Sequence, residues 1–513
     1  TMMDINGDGL SDRIMRQRIT PDDTQDGIAD SYDGYLRVQL NKGAKPDLLK
    51  KVNGSLGGSA ELEYTSSAYF DNKDAEGRSM LTFPANPVES VTTDDGFGNT
   101  STVTYSYSKG AFDTDRHQFL GYGKVEVTDP AGIKTVTYYH QGGGWDGSAD
   151  GEYADAGAIA KKGVPYRTET WGSDGKLYSR QLNKVEQVEV EPGTGWYYGY
   201  ISQKINMIYE GTNYYRAKVS RSEYDIDGKT GNILKTIDLG EVENVDIATQ
   251  TFDDITDGEL YVHTEYETFT NSDIKNKIKR TWTTTDYAGN NKLKELVFTY
   301  YDKGRVKSKK NWLDTESRYT AASQYDYDTY GNRNISIGRT GITTTTEYDS
   351  TYHTWPVKKT TGTFVSETTY DPRSGQPTES IDPAGMKDKI IYDEFFRITD
   401  NYISTAPNID PDLWTTHIEY NMGGIVNGES LNFVYQYHNG FEGITYSDGL
   451  GRVIQKRALA EEGAAGEFRV TDTEYNNQGK VLFKTLSYFS NGIANTPFDD
   501  TQPGALNQFD AIG

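Results

Sequence analysis

The sequence contains no cysteine among its 513 residues, which excludes disulfides and thiolate sites. No apolar run approaches 18 residues, so no transmembrane helix is expected. No charged-then-apolar leader is visible at the start. Excess positive charge is missing too. Fifty-two Lys and Arg face 76 Asp and Glu, for a net charge of −24, the opposite of the basic footprint that nucleic acid requires. Histidines number six, at 117, 140, 263, 353, 417 and 438, and none is spaced from another like a ligand pair. There is no metalloprotease helix motif, phosphate loop, nucleophile elbow or dinucleotide fingerprint. A glycosidase-type carboxylate pair is set by distance in the fold and not by sequence, so the many Asp residues read first as turn formers. These absences point away from an enzyme.

What is present is tyrosine and turn chemistry. The apolar fraction is 35%, yet there are 39 Tyr and 53 Gly. A core of Leu and Ile is not expected from this composition. Thin sheets faced by Tyr and Thr are, because a Tyr buries its ring while its hydroxyl stays at the surface. The length calls for several domains.

One phrase organises the chain. Thr340-Gly341 leads to Tyr348-Asp349, Thr361-Gly362 to Tyr370-Asp371, and Ala384-Gly385 to Tyr392-Asp393, with 22 residues from each Tyr to the next. A fixed period of this size marks a repeat architecture. Each copy opens on a Gly turn, runs six or seven residues rich in Thr, Val and Ile, and ends on Tyr, which is strand composition and strand length. One β-hairpin per period follows. Tyr348, Tyr370 and Tyr392 are therefore expected at equivalent positions. Related phrases occur at Gly98–Tyr105, Gly132–Tyr139, Tyr301-Asp302-Lys303-Gly304-Arg305, Tyr327-Asp328 to Gly331-Asn332, Tyr446-Ser447-Asp448 to Gly451-Arg452, Tyr475-Asn476 to Gly479-Lys480, and Phe509–Gly513. Phe396 replaces Gly in the unit that starts at Tyr392.

This Tyr-Asp-x-x-Gly-Arg series resembles the YD repeat of the Rhs family, shared with toxin-complex B and C subunits and teneurins. The match is close over 300–513 and loose over 90–300. A second, collinear resemblance to the toxin-complex B subunit runs through Leu48–Tyr64, Asp95–Asn99, Phe119–Val125, His140-Gln141 and Lys162–Arg167. The resemblance implies a spiral β-strip forming a hollow shell that encloses a toxic C-terminal effector. It also implies a downstream Rhs core and effector as partners, with a translocation subunit as a further one, in a secreted or cell-surface bacterial polymorphic toxin. Asp129-Pro130 and Asp382-Pro383 are similar to the Asp-Pro motif near the Rhs self-cleavage site. They stand inside the repeats, where they serve as turns, and carry no cleavage assignment.

The N-terminus carries a different signal. Asp4, Asn6, Asp8 and Asp12 fall at positions 1, 3, 5 and 9 of a calcium loop, with Gly9 at the sharp turn and Leu10 offering its carbonyl. Position 12 is Met15, so the loop is not an EF-hand. A second copy reads Asp22, Thr24, Asp26, Ile28 and Asp30. The strand pattern Tyr35–Gly43 follows, and this loop-then-strand order resembles the FG-GAP repeats of propeller blades. Calcium is the cofactor called for both loops, and an Asp/Gly turn without metal is the alternative.

The fold class read from the sequence is all-β: the end of a β-propeller-like domain followed by a long curved antiparallel strip of hairpins. The boundaries are 1–46 for the FG-GAP-like loops, 47–165 for the middle region, 166–300 for a divergent strip and 301–513 for the YD-repeat shell. Both ends read as cuts in a longer chain. Residues 142–165, 405–414 and 458–466 read as loops, with helical turns allowed at Ala156–Lys162 and Ala458–Ala465. The register of 167–300 is not legible. Two functions remain: a non-enzymatic casing, and an extracellular adhesion or carbohydrate-binding module.

Overall fold

The computed structural model describes residues 2–7, 10–18, 32–43, 47–74, 76–142, 159–255, 258–270, 273–313, 316–404, 415–426 and 429–511. Its described residues form strands, two 3-10 turns (Ser67–Tyr69 and Ile159–Lys161) and no α-helix. A small sheet of Met2–Met3, Asp12–Arg18 and Tyr32–Gln39 stands alone. The other 33 strands, from Lys51–Asn53 to Gly504–Leu506, form one continuous antiparallel system. Strands on either side of 165–166 and 300–301 belong to this one system, with a register shift at Pro165–Arg167 and another at Thr299–Tyr300.

The strip is built by local rules. Turn residues alternate with short runs rich in Thr, Tyr and Val, and each run pairs with the next in sequence. In Thr343–Tyr348 exposure alternates residue by residue, as a pleated strand requires. Hydroxyls pair across strands, Thr344 with Thr361 at 2.9 Å and Thr92 with Thr102 at 2.9 Å, a contact of the cross-strand kind that stabilises sheets. The stretch whose register was illegible follows the same plan. Tyr197–Ile208 pairs with Leu177–Glu189 on one side and Arg216–Tyr224 on the other.

The thinness expected from composition is plain in the surface area. The chain exposes 30434 Å², whereas a compact chain of this size exposes roughly 19,000 Å². Among the described residues, buried polar side chains outnumber buried apolar ones. The largest apolar cluster gathers Leu182, Ile205, Met207, Val219 and Val242, and the excursion through Val245, Ile247 and Phe252 packs over it.

Two local expectations need correcting or confining. Ala458 and Leu459 end the strand Val453–Leu459, and the chain then turns, with the Ala460 N–H donating to the Glu467 carbonyl at 2.8 Å; no helix forms there. Gly463 takes a left-handed φ of 85°, which breaks the Ala-rich run. Of the helical turns allowed at Ala156–Lys162, Ile159–Lys161 is a single 3-10 turn, and 156–158 lie outside the described residues. So do the expected loop at 405–414, most of 142–165, and Ile512-Gly513.

Candidate functional site

The repeated phrase has a specific geometry. Tyr348 pairs across its turn with Pro356, next to a register shift that marks a bulge. The Pro356 carbonyl in turn accepts the hydroxyl of Tyr370 at 3.2 Å. Tyr370 pairs across its own turn with Pro377, whose carbonyl accepts the hydroxyl of Tyr392 at 2.7 Å. Each tyrosine thus closes its own hairpin through the backbone and clasps the preceding one through its hydroxyl. The series runs unbroken upstream. Tyr224 reaches Ile201, Tyr266 reaches Ile233, Tyr300 reaches Ile278, Tyr327 reaches Val306 and Tyr348 reaches Arg333, at 2.6–3.1 Å. It recurs at Tyr475, which donates to the Val453 carbonyl at 2.9 Å.

The residues after Tyr complete the turn. Asp393 Oδ1 accepts the N–H groups of Phe395 and Arg397, and its Oδ2 accepts Arg397 Nε at 2.7 Å. Asp448 holds Leu450 and Arg452 in the same way. Burial opposes ionisation of Asp349, yet backbone N–H groups from Thr354, Trp355, Tyr352 and His353 hold it well below the usual carboxylate range. Arg373 and backbone donors hold Asp371 down to about 2. A left-handed residue follows, fourth after Asp349 and Asp371 (His353 and Gly375) and third after Asp328, Asp382, Asp393 and Asp448. Phe396 takes that place with φ 60°, so the departure from Gly is absorbed without changing the turn, at a strain of roughly 1–2 kcal/mol.

Two of the seven repeat tyrosines sit elsewhere. Tyr301 takes the Asp position of its turn, and Tyr300 makes the clasp. Tyr301 instead donates to the Tyr325 carbonyl at 3.2 Å. At the next-to-last unit Ser447 occupies the clasp position opposite Val453. Tyr446, one residue earlier, points to the other face, is buried, and bonds the Ile493 carbonyl. A signal for both was in the sequence. Counting four back from Gly304 or Gly451 lands on Tyr300 and Ser447.

The strip also meets itself. Turns near its start touch turns near its end, between residues 347 and 376 apart in the chain. Gly58 N–H donates to the Gly449 carbonyl at 3.0 Å, and Gly449 N–H to the Asp95 carbonyl at 2.7 Å. The Asn432 amide bridges the carbonyls of Leu56 and Asp448 at 2.8 and 3.2 Å. Arg452 joins Asp448 at 2.6 Å to Asp95 at 3.4 Å, two buried carboxylates that one guanidinium serves. Further along, Ser101 donates to the Asn477 carbonyl, Asn477 to that of Pro130, and Gln478 to Asp129. Among the described residues no paired strands join the two ends; the closure is made by turns together with Ser101 and Asn432 on strands. A cavity of about 990 Å³ lies along this seam, between Phe97, Thr100, Tyr475 and Phe498. Asp129 and Asp382 each cap their own turn, Asp129 through Ala131 and Ile133, Asp382 through Ala384 and Met386.

At the N-terminus, Asp12 is buried and both its oxygens accept backbone donors, Ile5 at 2.9 Å and Asn41 at 2.8 Å. The Asn41 and Ile5 N–H groups hold it below the usual carboxylate range. Asp4 Oδ1 accepts Gly7 N–H at 2.8 Å. Oxygen atoms are the ligand type that a hard cation takes. Asp4, Asn6, Leu10 and Asp12 are described; Asp8 and the whole second loop (Asp22, Thr24, Asp26, Ile28 and Asp30) lie outside the described residues. Among the described residues no three His, Cys, Asp or Glu side chains gather in metal-binding geometry.

The histidines are dispersed. His263 stacks on Trp282 and bonds Thr284 at 3.0 Å; His353 stacks on Tyr330. His417 lies between two carboxylates, Asp400 at 2.6 Å and Glu419 at 3.3 Å. The hydrogen bond to Asp400, and then Glu419, raise its pKa against the effect of burial.

Compared with known proteins, residues 1–142 match the family model described as the insecticide toxin TcdB middle/N-terminal region. No curated protein matches the chain. The solved TcdB2-TccC3 structure matches over 95% of this chain at 16% identity and a TM-score of 0.69, covering 33% of that chain. TcdB2-TccC3-Cdc42 matches at 14% identity and 0.69, with 95% and 35% coverage. A Photorhabdus luminescens Tc holotoxin pore matches at 15% and 0.70, with 95% and 34% coverage. The chain spans about a third of the length of these solved chains. The resemblance to a toxin-complex B subunit therefore holds by sequence over 1–142, and by fold over nearly the whole chain.

Two outcomes test this geometry. Tyr370→Phe removes one hydroxyl clasp and keeps the ring, so it should cost about 1 kcal/mol in denaturant titration; no change in midpoint would show the clasp to be idle. The raised pKa of His417 means its contribution is fully present below about pH 6.5 and is lost as pH rises through the folded-state value. Stability of the wild type should fall across that window relative to His417→Gln, and parallel curves would remove the ion pair from the account.

Proposed function

We propose that this chain is part of the wall of a hollow, non-enzymatic shell of the toxin-complex and Rhs type, which encloses a C-terminal effector before delivery. The observation that carries the reading is the seam. A strip of hairpins that curls until early and late turns bond, while exposing far more surface than a compact chain, has the form of a wall around a space. The shared fold with TcdB2-TccC3 supports the same reading. TccC3 stands beside TcdB2 in those structures, and a downstream Rhs core with its effector is the expected companion here, with a translocation subunit as a further partner. A secreted or surface location fits this role. The acidic charge of −24 favours solubility and disfavours nucleic acid.

The test is protease challenge of the full-length gene product. The C-terminal segment should survive protease when this wall is present and be digested when it is deleted. Equal digestion rates would remove encapsulation and leave the adhesion module as the better reading.

The same proposal assigns calcium to Asp4, Asn6, Asp8, Leu10 and Asp12, with the second loop as a further site. The loop's residues would hold the ion and tie the small sheet to the strip, next to which Ser66 bonds the Gly7 carbonyl. Calorimetric titration with calcium chloride should show binding that Asp4→Ala weakens at least tenfold. No heat at millimolar calcium would end this assignment.

A further inference from the structure

The wall is held in two unlike ways. Along the strip, neighbours share backbone ladders of up to eleven paired residues, as between Leu177–Glu189 and Tyr197–Ile208. Across the seam, the contacts are single hydrogen bonds and one ion pair, made by turns and by Ser101 and Asn432 on strands. Opening the seam therefore breaks few bonds, while opening a long ladder such as this one breaks many; the shortest ladders, such as Asp400-Asn401 with His417-Thr416, have only two paired positions. Local opening follows the smaller cost.

The seam also has a point where it admits no addition. A Cβ on Gly449 would stand 2.4 Å from the Gly58 nitrogen and 2.5 Å from the Asp95 carbonyl oxygen. A Cβ on Gly58 would stand 2.5 Å from the Gly449 carbonyl oxygen. These neighbours are backbone atoms from the other end of the strip, which cannot swing aside as a side-chain tip can. Neither glycine has a left-handed φ, so the requirement at both is space and not backbone conformation. In contrast, Gly443 on the adjacent strand has its nearest neighbour at 3.8 Å.

We infer that the seam is a latch, which opens as a unit while the ladders on either side stay closed, and that the backbone contact of Gly449 with Gly58 and Asp95 is its bolt. Around this bolt Asn432 and Arg452 bridge one pair of turns, and Ser101, Asn477 and Gln478 the next. If the chain is a shell wall, the latch is where the enclosed space can be reached without unfolding the wall. That consequence rests on the shell reading; the latch itself does not.

Hydrogen exchange followed by mass spectrometry on the whole chain tests it. Gly449→Ala should raise exchange about tenfold or more in the segments 54–58 and 94–101, far away in sequence. Exchange in the ladders of 177–246 and 343–392 should stay as in the wild type, and Gly443→Ala should behave as the wild type throughout. Because the chain has no native cysteine, a Ser101→Cys, Asn477→Cys pair can be oxidised cleanly, and should slow exchange in 94–101 until a reductant is added. A Gly449→Ala variant that is silent at 54–58 and 94–101, or that raises exchange everywhere at once, overturns the latch. So does a cysteine pair that does not oxidise. No cargo is needed. A working latch with an unprotected effector would sink the shell reading alone, and a protected effector with a silent Gly449→Ala would sink the latch alone.

Discussion

A sheet one layer thick has no second layer to keep its hairpins in register. In this chain the tyrosine clasp meets that constraint. The backbone of each Tyr closes one hairpin and its hydroxyl bonds a carbonyl of the preceding strand, the strand's first from Tyr266 to Tyr392, so the bond between hairpins recurs along the strip. Each bond is worth only about 1 kcal/mol, but seven follow one another from Tyr224 to Tyr392. In a repeat array, such nearest-neighbour terms add along the chain. This explains how a sequence with so little aliphatic core can hold an extended surface. It also explains the Asp that follows, because the carboxylate fixes the turn that sets the position of the next tyrosine.

The second constraint is the edge. A long strip presents turns along both sides and would invite unwanted association if its strands were left bare. Here the strands end in capped turns, and the strip curls until early and late turns meet. Closure needs glycines where backbones touch and a shared guanidinium where two buried carboxylates approach. Removing Arg452 would leave Asp95 and Asp448 buried without their cation, a loss of the kind that costs about 3–5 kcal/mol.

Much of this was legible from the residues. The 22-residue period named the hairpins, and the low aliphatic content named the thin sheet. The clasp was legible only as a recurring Tyr, because its partner is a backbone carbonyl with no sequence signature. Tyr301 and Tyr446 were misplaced because the letters Tyr-Asp and Tyr-Ser-Asp were aligned by Tyr; the turn is set by the left-handed residue, so alignment by Gly304 and Gly451 gives the structural register. Phe396 shows the limit of that rule, since a phenylalanine holds the same φ. The seam was foreseeable as a need to cover edges, but its residues were not. Gly58 and Gly449 look like any turn glycines until two distant parts of the chain are brought together.

The central claim, that a clasped strip closes around open space, is tested most directly by small-angle X-ray scattering of the chain in solution. A compact fold of this length has a radius of gyration of roughly 24 Å. The account predicts a value clearly above that, with the pair-distance distribution of a hollow body and the sharp outer limit of a folded one. A radius near the compact value, with a distribution that peaks like a filled sphere, would contradict it.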